Sequence, residues 1–183
     1  MQAPVSSTAS IRTLVRRFRR NRRASTAVEF ALVAPVFFAL LFAIIETAMI
    51  FFAGQLLETM TQDSARMILT GQAQQASYTQ DDFKNVVKSN CLKAVLFDCN
   101  SVFVDVKSYS SFGSVSISSQ IDNTGNFVNN MTYSPGAAGD IVVVRLFYQW
   151  PIFVTGLGYN IANLSGSMRL LVGTAAFKNE PYS

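Results

Sequence analysis

Two carboxylates and two thiols are the side chains whose positions could support specific chemistry in this sequence. Glu29 and Glu46 lie in a long apolar segment, and Cys91 and Cys99 lie eight positions apart further along the chain. A carboxylate in hydrocarbon costs roughly 2.5–3.5 kcal/mol on insertion scales, so each glutamate needs a partner or a location that offsets this cost. The two thiols could form a disulfide or remain as free, buried groups.

The residues for most other site chemistry are missing from the sequence. There is no histidine, which excludes triads and metal sites built on imidazole. Two cysteines cannot supply a usual four-ligand zinc site, and their spacing is not that of a C-x-x-C redox motif. The segment TGLGY (155–159) lacks the G-x-G-x-x-G pattern and is expected to form a turn. We therefore predict no enzymatic activity, no metal and no cofactor.

Basic residues are concentrated at the N-terminus. Residues 1–24 hold seven arginines and no acid, whereas the remaining chain has eight basic and eleven acidic residues, a net charge of −3. This acidic body argues against nucleic-acid binding. The arginine-rich head could serve as a nucleic-acid arm, but its position before an apolar run favours a role in membrane topology and contact with anionic lipids.

The apolar run after the arginines predicts a transmembrane helix. From Phe30 to Ala53 only Glu46 is charged, and these 24 residues would span about 36 Å of helix, against ~30 Å of hydrocarbon. A buried core helix is the alternative, but such helices rarely run this long without a polar face. A cleaved secretory signal is disfavoured because the run is too long and no clear A-x-A site follows it.

The charge asymmetry also predicts the orientation of the span. By the positive-inside rule the N-terminus lies in the cytoplasm and the chain after about Gly54 lies outside, in the periplasm of a Gram-negative cell. We divide the chain into a basic leader (1–24), a transmembrane helix (25–54) and an exported domain (55–183). In that location Cys91 and Cys99 are expected to form a disulfide, with two free thiols as the alternative.

The rest of the chain predicts an α+β domain. The first helix should continue through 54–76 with an amphipathic pattern, its apolar face turned to its own domain or to a partner. A second helix is expected over 79–92, with Thr79 as N-cap. Alternating or β-branched segments then predict strands at 101–110, 140–150 and 165–177, with 114–121 as a candidate for a short extra one. A helix-then-strand order indicates a small antiparallel sheet packed with helices.

Both ends of the chain carry a family resemblance. The stretch RRASTAVEFALVAPVFFALLFAIIE (22–46) resembles the start of TadE-like pseudopilins of the tight adherence (Tad/Flp) pilus, a branch of the type IV pilus superfamily. The end GTAAFKNEPYS resembles the C-terminal pattern of that family, a strand followed by a basic residue and Asn-Glu-Pro. The middle of the chain, about 75–160, matches only in general character.

The resemblance implies roles for several residues. A prepilin peptidase would cut between Ala24 and Ser25, where the family often has glycine before the cut, and Glu29 would become the fifth mature residue. That carboxylate would neutralise the new Ser25 ammonium group of a neighbouring subunit, and a paired charge avoids most of the cost of an isolated one. The alternative is that Glu29 sits at the headgroup level and touches only water and lipid.

Two further residues of the apolar segment, Pro35 and Glu46, are expected to affect the helix or its contacts locally. A proline in a helix frees a carbonyl one turn earlier, so Pro35 should bend the helix or allow it to melt locally on assembly. Glu46 is 17 positions after Glu29, about 100° around a helix, so the two should not act as a pair. It should either reach the outer interface as a snorkelling side chain or make an intramembrane contact with a polar partner in an assembly.

The resulting expectation is a single-pass bacterial inner-membrane minor pilin with a periplasmic domain, acting in assembly or initiation of a Tad-type pilus. Its partners would be the membrane, a prepilin peptidase, other pilins and the Tad assembly platform, and it could enter the pilus itself. The alternatives are an uncleaved, membrane-anchored scaffold of a secretion or pilus machine, and an anchored ligand-binding module.

Overall fold

A computed structural model describes residues 22–91, 98–155 and 159–182, with side chains from Thr26 onward. The chain divides into two compact units between Ile44 and Ile45. Its helices are α1 (Arg22–Leu69), α2 (Gln72–Gln75) and α3 (Gln80–Cys91), and its strands are β1 (Phe103–Tyr109), β2 (Ile141–Pro151) and β3 (Met168–Lys178). Short 3-10 turns occupy Cys99–Ser101 and Phe112–Ser114. The predicted α+β fold is confirmed.

Helix α1 runs for 48 residues and contains Pro35 without an interruption of its helical assignment. It ends earlier than the predicted 54–76 segment because Gly71 adopts a left-handed conformation, with φ of 74°. Glycine adopts this conformation without the steric penalty of a side chain, so it stops the helix. The chain then makes the single turn of α2 before α3 begins.

Helix α3 begins as the sequence predicts. The backbone N–H of Thr79 donates to the carboxylate of Asp82 (2.9 Å), and the N–H of Asp82 donates to the Thr79 hydroxyl (3.3 Å). This reciprocal pair satisfies two N–H groups that a helix start leaves without partners. The inward face of α3 is buried at Phe83, Val87 and Cys91.

The three strands form one antiparallel sheet in the order β1–β2–β3. One face of β2, from Val142 through Leu146 to Trp150, joins the main core with the inward residues of α1 and α3. The other face bears a smaller cluster that includes Phe147, Leu164 and Leu170. The helices therefore cover one face of the sheet, and the loop that holds Ile121 and Phe127 packs on the other.

The expected extra strand at 114–121 is not formed. A 3-10 turn ends at Ser114, and the following residues are irregular up to an isolated bridge between Ile121 and Phe127. Ser116, Ile117, Ser118 and Ser119 are all exposed, so the alternation of serine with Val115 and Ile117 has no buried face to occupy. Alternation stabilises a strand only where one of its faces is covered.

The amphipathic half of α1 packs on the domain's own sheet, which is one of the two expected locations for its apolar face. Leu57, Thr61 and Ile68 are fully buried along this face. The approach is closest at Gly173 of β3, where an added Cβ would lie 2.8 Å from the Leu57 carbonyl oxygen. A residue without a side chain is required for the strand and helix to come this near.

Gly173→Ala should therefore destabilise the domain by about 1–3 kcal/mol, the usual cost of overpacking a core. Chemical unfolding of the full chain in detergent, followed through Trp150, the single tryptophan, would measure it. Gly54→Ala is the matched control, because no atom lies within 4 Å of the Cβ it would add. Equal stability of the Gly173→Ala protein and wild type would contradict the close approach.

Candidate assembly and membrane-contact site

The predicted cleavage junction lies in the first turn of α1. Ala24 and Ser25 have helical backbone, and the structure describes no side chain before Thr26. The leader up to residue 21 lies outside the described residues.

Glu29 is exposed on α1 one turn after the junction, as are the apolar side chains that follow it. Phe30 is 68% exposed and Leu32 is 72% exposed, although both are strongly apolar. A helix whose large apolar residues face outward in this way requires lipid or protein around it. The segment is therefore a contact surface, and Glu29 is the single charge between Thr26 and Ile45.

The carboxylate of Glu46 is held by the domain's own backbone. It accepts hydrogen bonds from the N–H of Phe153 at 2.5 Å and from the N–H of Val154 at 3.1 and 3.2 Å, and the residue is only 7% exposed. The next residue of the helix, Thr47, shares a hydrogen bond with the hydroxyl of Tyr159. Neither expected environment for Glu46 included this contact with the loop after β2.

A spacing pattern could have revealed the Glu46 contact. Glu46, Ile50, Ala53 and Leu57 follow one another at intervals of four, three and four positions, and all are buried. Such spacing places them on one face of a helix, so Glu46 is the first residue of the stripe that faces the domain. The identity of its partners in a loop more than 100 positions away could not be predicted from that stripe.

Cys91, the last residue of α3, forms a disulfide with Cys99 in the structure. Cys91 is fully buried in the main core, and Cys99 is partly buried against it. The bond joins the end of α3 to the 3-10 turn that precedes β1. It therefore fixes the passage of the chain from the helical layer to the sheet.

Removing this bond should cost roughly 2–3 kcal/mol, by the chain-entropy model for a loop of this size. The test is a Cys91→Ala/Cys99→Ala protein, unfolded by denaturant in detergent. Mass spectrometry of unreduced wild-type peptides should show the cross-link. A reductant should lower the stability of wild type but leave the double variant unchanged; two alkylatable thiols in freshly trapped native protein would contradict the pairing.

A buried ion pair joins the centre of β1 to β2. Asp105 and Arg145 are direct partners in the strand register, and an Arg145 nitrogen lies 2.7 Å from the Asp105 carboxylate. Both residues are at least 95% buried. The carboxylate also accepts hydrogen bonds from the N–H and the hydroxyl of Thr132, both at 3.0 Å. The second Arg145 nitrogen donates to the carbonyl of Ser118, so the pair positions the loop over this face.

The environment of Asp105 acts on its pKa in two opposing directions. Burial raises the pKa of this carboxyl, but the hydrogen bonds from Arg145 and Thr132 and the charge of Lys107 lower it by more, so the net change is downward. The group is therefore held as a charged carboxylate in the folded domain.

The Asn-Glu-Pro sequence at the C-terminus closes the domain. The Asn179 amide donates to the carbonyls of Pro135 (2.9 Å) and Ala137 (3.0 Å), and the residue is 2% exposed. The N–H of Glu180 donates to the carbonyl of Leu69, the last residue of α1. The segment that resembles the family pattern thus joins the end of the long helix to the turn before β2.

Among the described residues, no group of three or more histidine, cysteine, aspartate or glutamate side chains is placed to hold a metal. In the same part of the chain one helix, Thr26–Leu69, is long and apolar enough to cross a membrane, and its most apolar window is not buried. The architecture is thus that of a small α+β domain carried on one apolar anchor helix.

A comparison with known families found a match over the long helix α1. Residues 24–66 match the family model of TadE-like proteins. The match begins at Ala24 and extends through Glu29, Pro35 and Glu46 into the amphipathic half of α1. The resemblance to TadE-like proteins is therefore confirmed over this segment. No curated protein and no solved structure matches the chain.

Proposed function

We propose that this protein is a minor pilin, or pseudopilin, of a Tad-type pilus, acting in assembly or initiation. The observation that supports this most directly is the TadE-like match over 24–66, which covers the predicted junction, Glu29 and the apolar surface. TadE-like proteins form a pilus-associated structural family, which supports a role by contact and not by catalysis.

The proposed cycle has three steps. The arginine leader orients the helix with its N-terminus in the cytoplasm and its domain in the periplasm. A prepilin peptidase then cuts between Ala24 and Ser25, which leaves a positively charged amine on Ser25. Finally the subunit joins its neighbours through the apolar face of α1, and Glu29 of one subunit neutralises the amine of another.

The observation that most favours this arrangement is the exposed apolar surface of the first unit. Lipid can cover it before assembly, and helices of other pilins can cover it afterwards. Because both environments are apolar, transfer between them costs little hydrophobic free energy, and the Glu29–amine pair can decide the register of packing. The uncleaved scaffold remains the second candidate, because the same anchor and domain would serve it.

N-terminal sequencing of protein extracted from membranes separates these candidates. In cells with an active prepilin peptidase, we expect the mature chain to begin at Ser25 and the peptidase-null strain to retain the leader. A chain that begins at Met1 in both strains would overturn processing and leave the scaffold.

A further inference from the structure

The loop after β2 is attached to the anchor helix at the point where the domain begins. Ile152 is buried in the main core, whereas Phe153 beside it is 81% exposed. The N–H groups of Phe153 and Val154 point to the Glu46 carboxylate, and Tyr159 further along the loop bonds Thr47. The backbone is held on the helix while the phenyl ring points away from the protein.

The helix surface in the same unit is also apolar and exposed. Ile45 is 49% exposed, Phe52 is 56% exposed, and the adjacent loop residues 151–155 carry no charge. The start of this unit thus exposes large apolar side chains both on α1 and, at Phe153, on the loop that Glu46 holds. Because soluble surfaces rarely present several large apolar side chains together, this patch requires an apolar environment.

We propose that the loop 152–155 lies in the membrane interface on the side of the domain, with Phe153 inserted among the lipids. Exposed phenylalanine side chains bury favourably at the boundary between headgroups and acyl chains, and Phe153 is 81% exposed. Lipid tails offer no hydrogen-bond acceptors, so irregular backbone there needs acceptors from the protein. Glu46 supplies them to two consecutive N–H groups, which explains a buried carboxylate near the end of the span.

This assignment depends on the membrane anchor but not on cleavage or on pilus formation. It makes Glu46 a positioning residue that holds the loop, with the acyl and headgroup region of lipid as the partner. The domain then rests on the membrane through both the helix and the loop.

The test places a fluorescent nitrobenzoxadiazole label on the full chain in phosphatidylethanolamine–phosphatidylglycerol vesicles, at Phe153→Cys or at Phe112→Cys. Phe112 is the matched control, since it is 64% exposed and follows β1 at the opposite end of the sheet from Phe153. Dithionite should reduce the label at 112 on outward-facing domains, and the label at 153 should resist reduction. Spin-labelled lipid should quench only the label at 153.

Glu46→Leu tests the role of the carboxylate. It should lose the protection of the label at 153 and speed amide hydrogen exchange at Phe153 and Val154. Glu58→Leu is the control, because Glu58 likewise accepts from a domain backbone N–H, that of Thr174 at 3.0 Å. It should affect exchange at Thr174 and leave the label at 153 protected.

Equal reduction of the two labels in vesicles would overturn the proposal. So would protection of the label at 153 only in cells that assemble pili, which would assign Phe153 to a neighbouring subunit. If the label at 153 stayed protected from dithionite in the Glu46→Leu protein, the proposed role of Glu46 would be overturned.

Discussion

Glu29→Ala protein should insert into the membrane as well as wild type but should fail to form pili. Removing a charge from the span makes insertion easier, whereas assembly loses the proposed partner of the Ser25 amine. Membrane fractionation and electron microscopy of pili would measure the two effects separately. Glu29→Gln should give the same defect, because it keeps the shape of the side chain but not its charge.

Asp63→Ala is the control for the Glu29 prediction, since it removes an exposed carboxylate from the same helix but outside the apolar contact segment. It should retain pili.

Ala24→Arg should block the preceding step, cleavage of the leader, because a bulky charged residue should not fit a peptidase site shaped for a small one. The leader should then remain attached. Normal pili in the Glu29→Ala strain would contradict the pairing of Glu29 with the Ser25 amine and support the alternative of a carboxylate at the headgroup level. The proposal of cleavage after Ala24 would be unaffected.

Asp105→Ala should destabilise the domain by about 3–5 kcal/mol, because it leaves Arg145 buried without its partner. This is a large part of the 5–15 kcal/mol that stabilises a typical domain. Denaturant unfolding of the full chain in detergent would measure it. Asp81→Ala is the control, since Asp81 is 91% exposed in its 3.9 Å contact with Lys84 and should cost less than ~1 kcal/mol.

The lowered pKa of Asp105 also predicts a pH dependence of the free energy of unfolding. Its contribution is present above the unfolded value of about 3.9 and is lost as pH falls through the lower folded value. Asp105→Asn should therefore flatten the acid limb of the stability curve. The acid limb should not disappear entirely, because other aspartates, such as Asp122, also have lowered pKa values. An unchanged slope would contradict the ionised state of Asp105 in the folded domain.

Local patterns predicted the two longer helices and the three strands of this fold. Thr79 and Asp82 form the expected helix start, and β2 differs from its predicted range by one position at each end. These features depend on neighbours in sequence, so a single sequence contains their determinants. The exposed serines of 114–121 misled the strand prediction because their pattern is local but the required covering layer is not.

The long-range contacts required the structure. A lone acid in VFVDVKS and a lone base in VVVRLF indicate one buried charge in each strand, but only the register places Asp105 opposite Arg145. Similarly, the helical stripe indicates that Glu46 faces the domain. Its hydrogen-bond donors, the N–H groups of Phe153 and Val154, lie in the loop after β2 and could be identified only in the structure. Nothing in the sequence around Gly173 marks it as special. The need for glycine at this position comes from the close approach of α1 to β3.

The closure by Asn179 and Glu180 has a consequence for biogenesis. A ribosome makes α1 before the three strands, so Leu57 stays uncovered until β3, which carries Gly173, has been made. Glu180, which bonds the end of α1, lies just after the end of β3. The helix and the sheet of this domain therefore associate late in folding, because the strand that α1 approaches most closely is the last of the three in the chain.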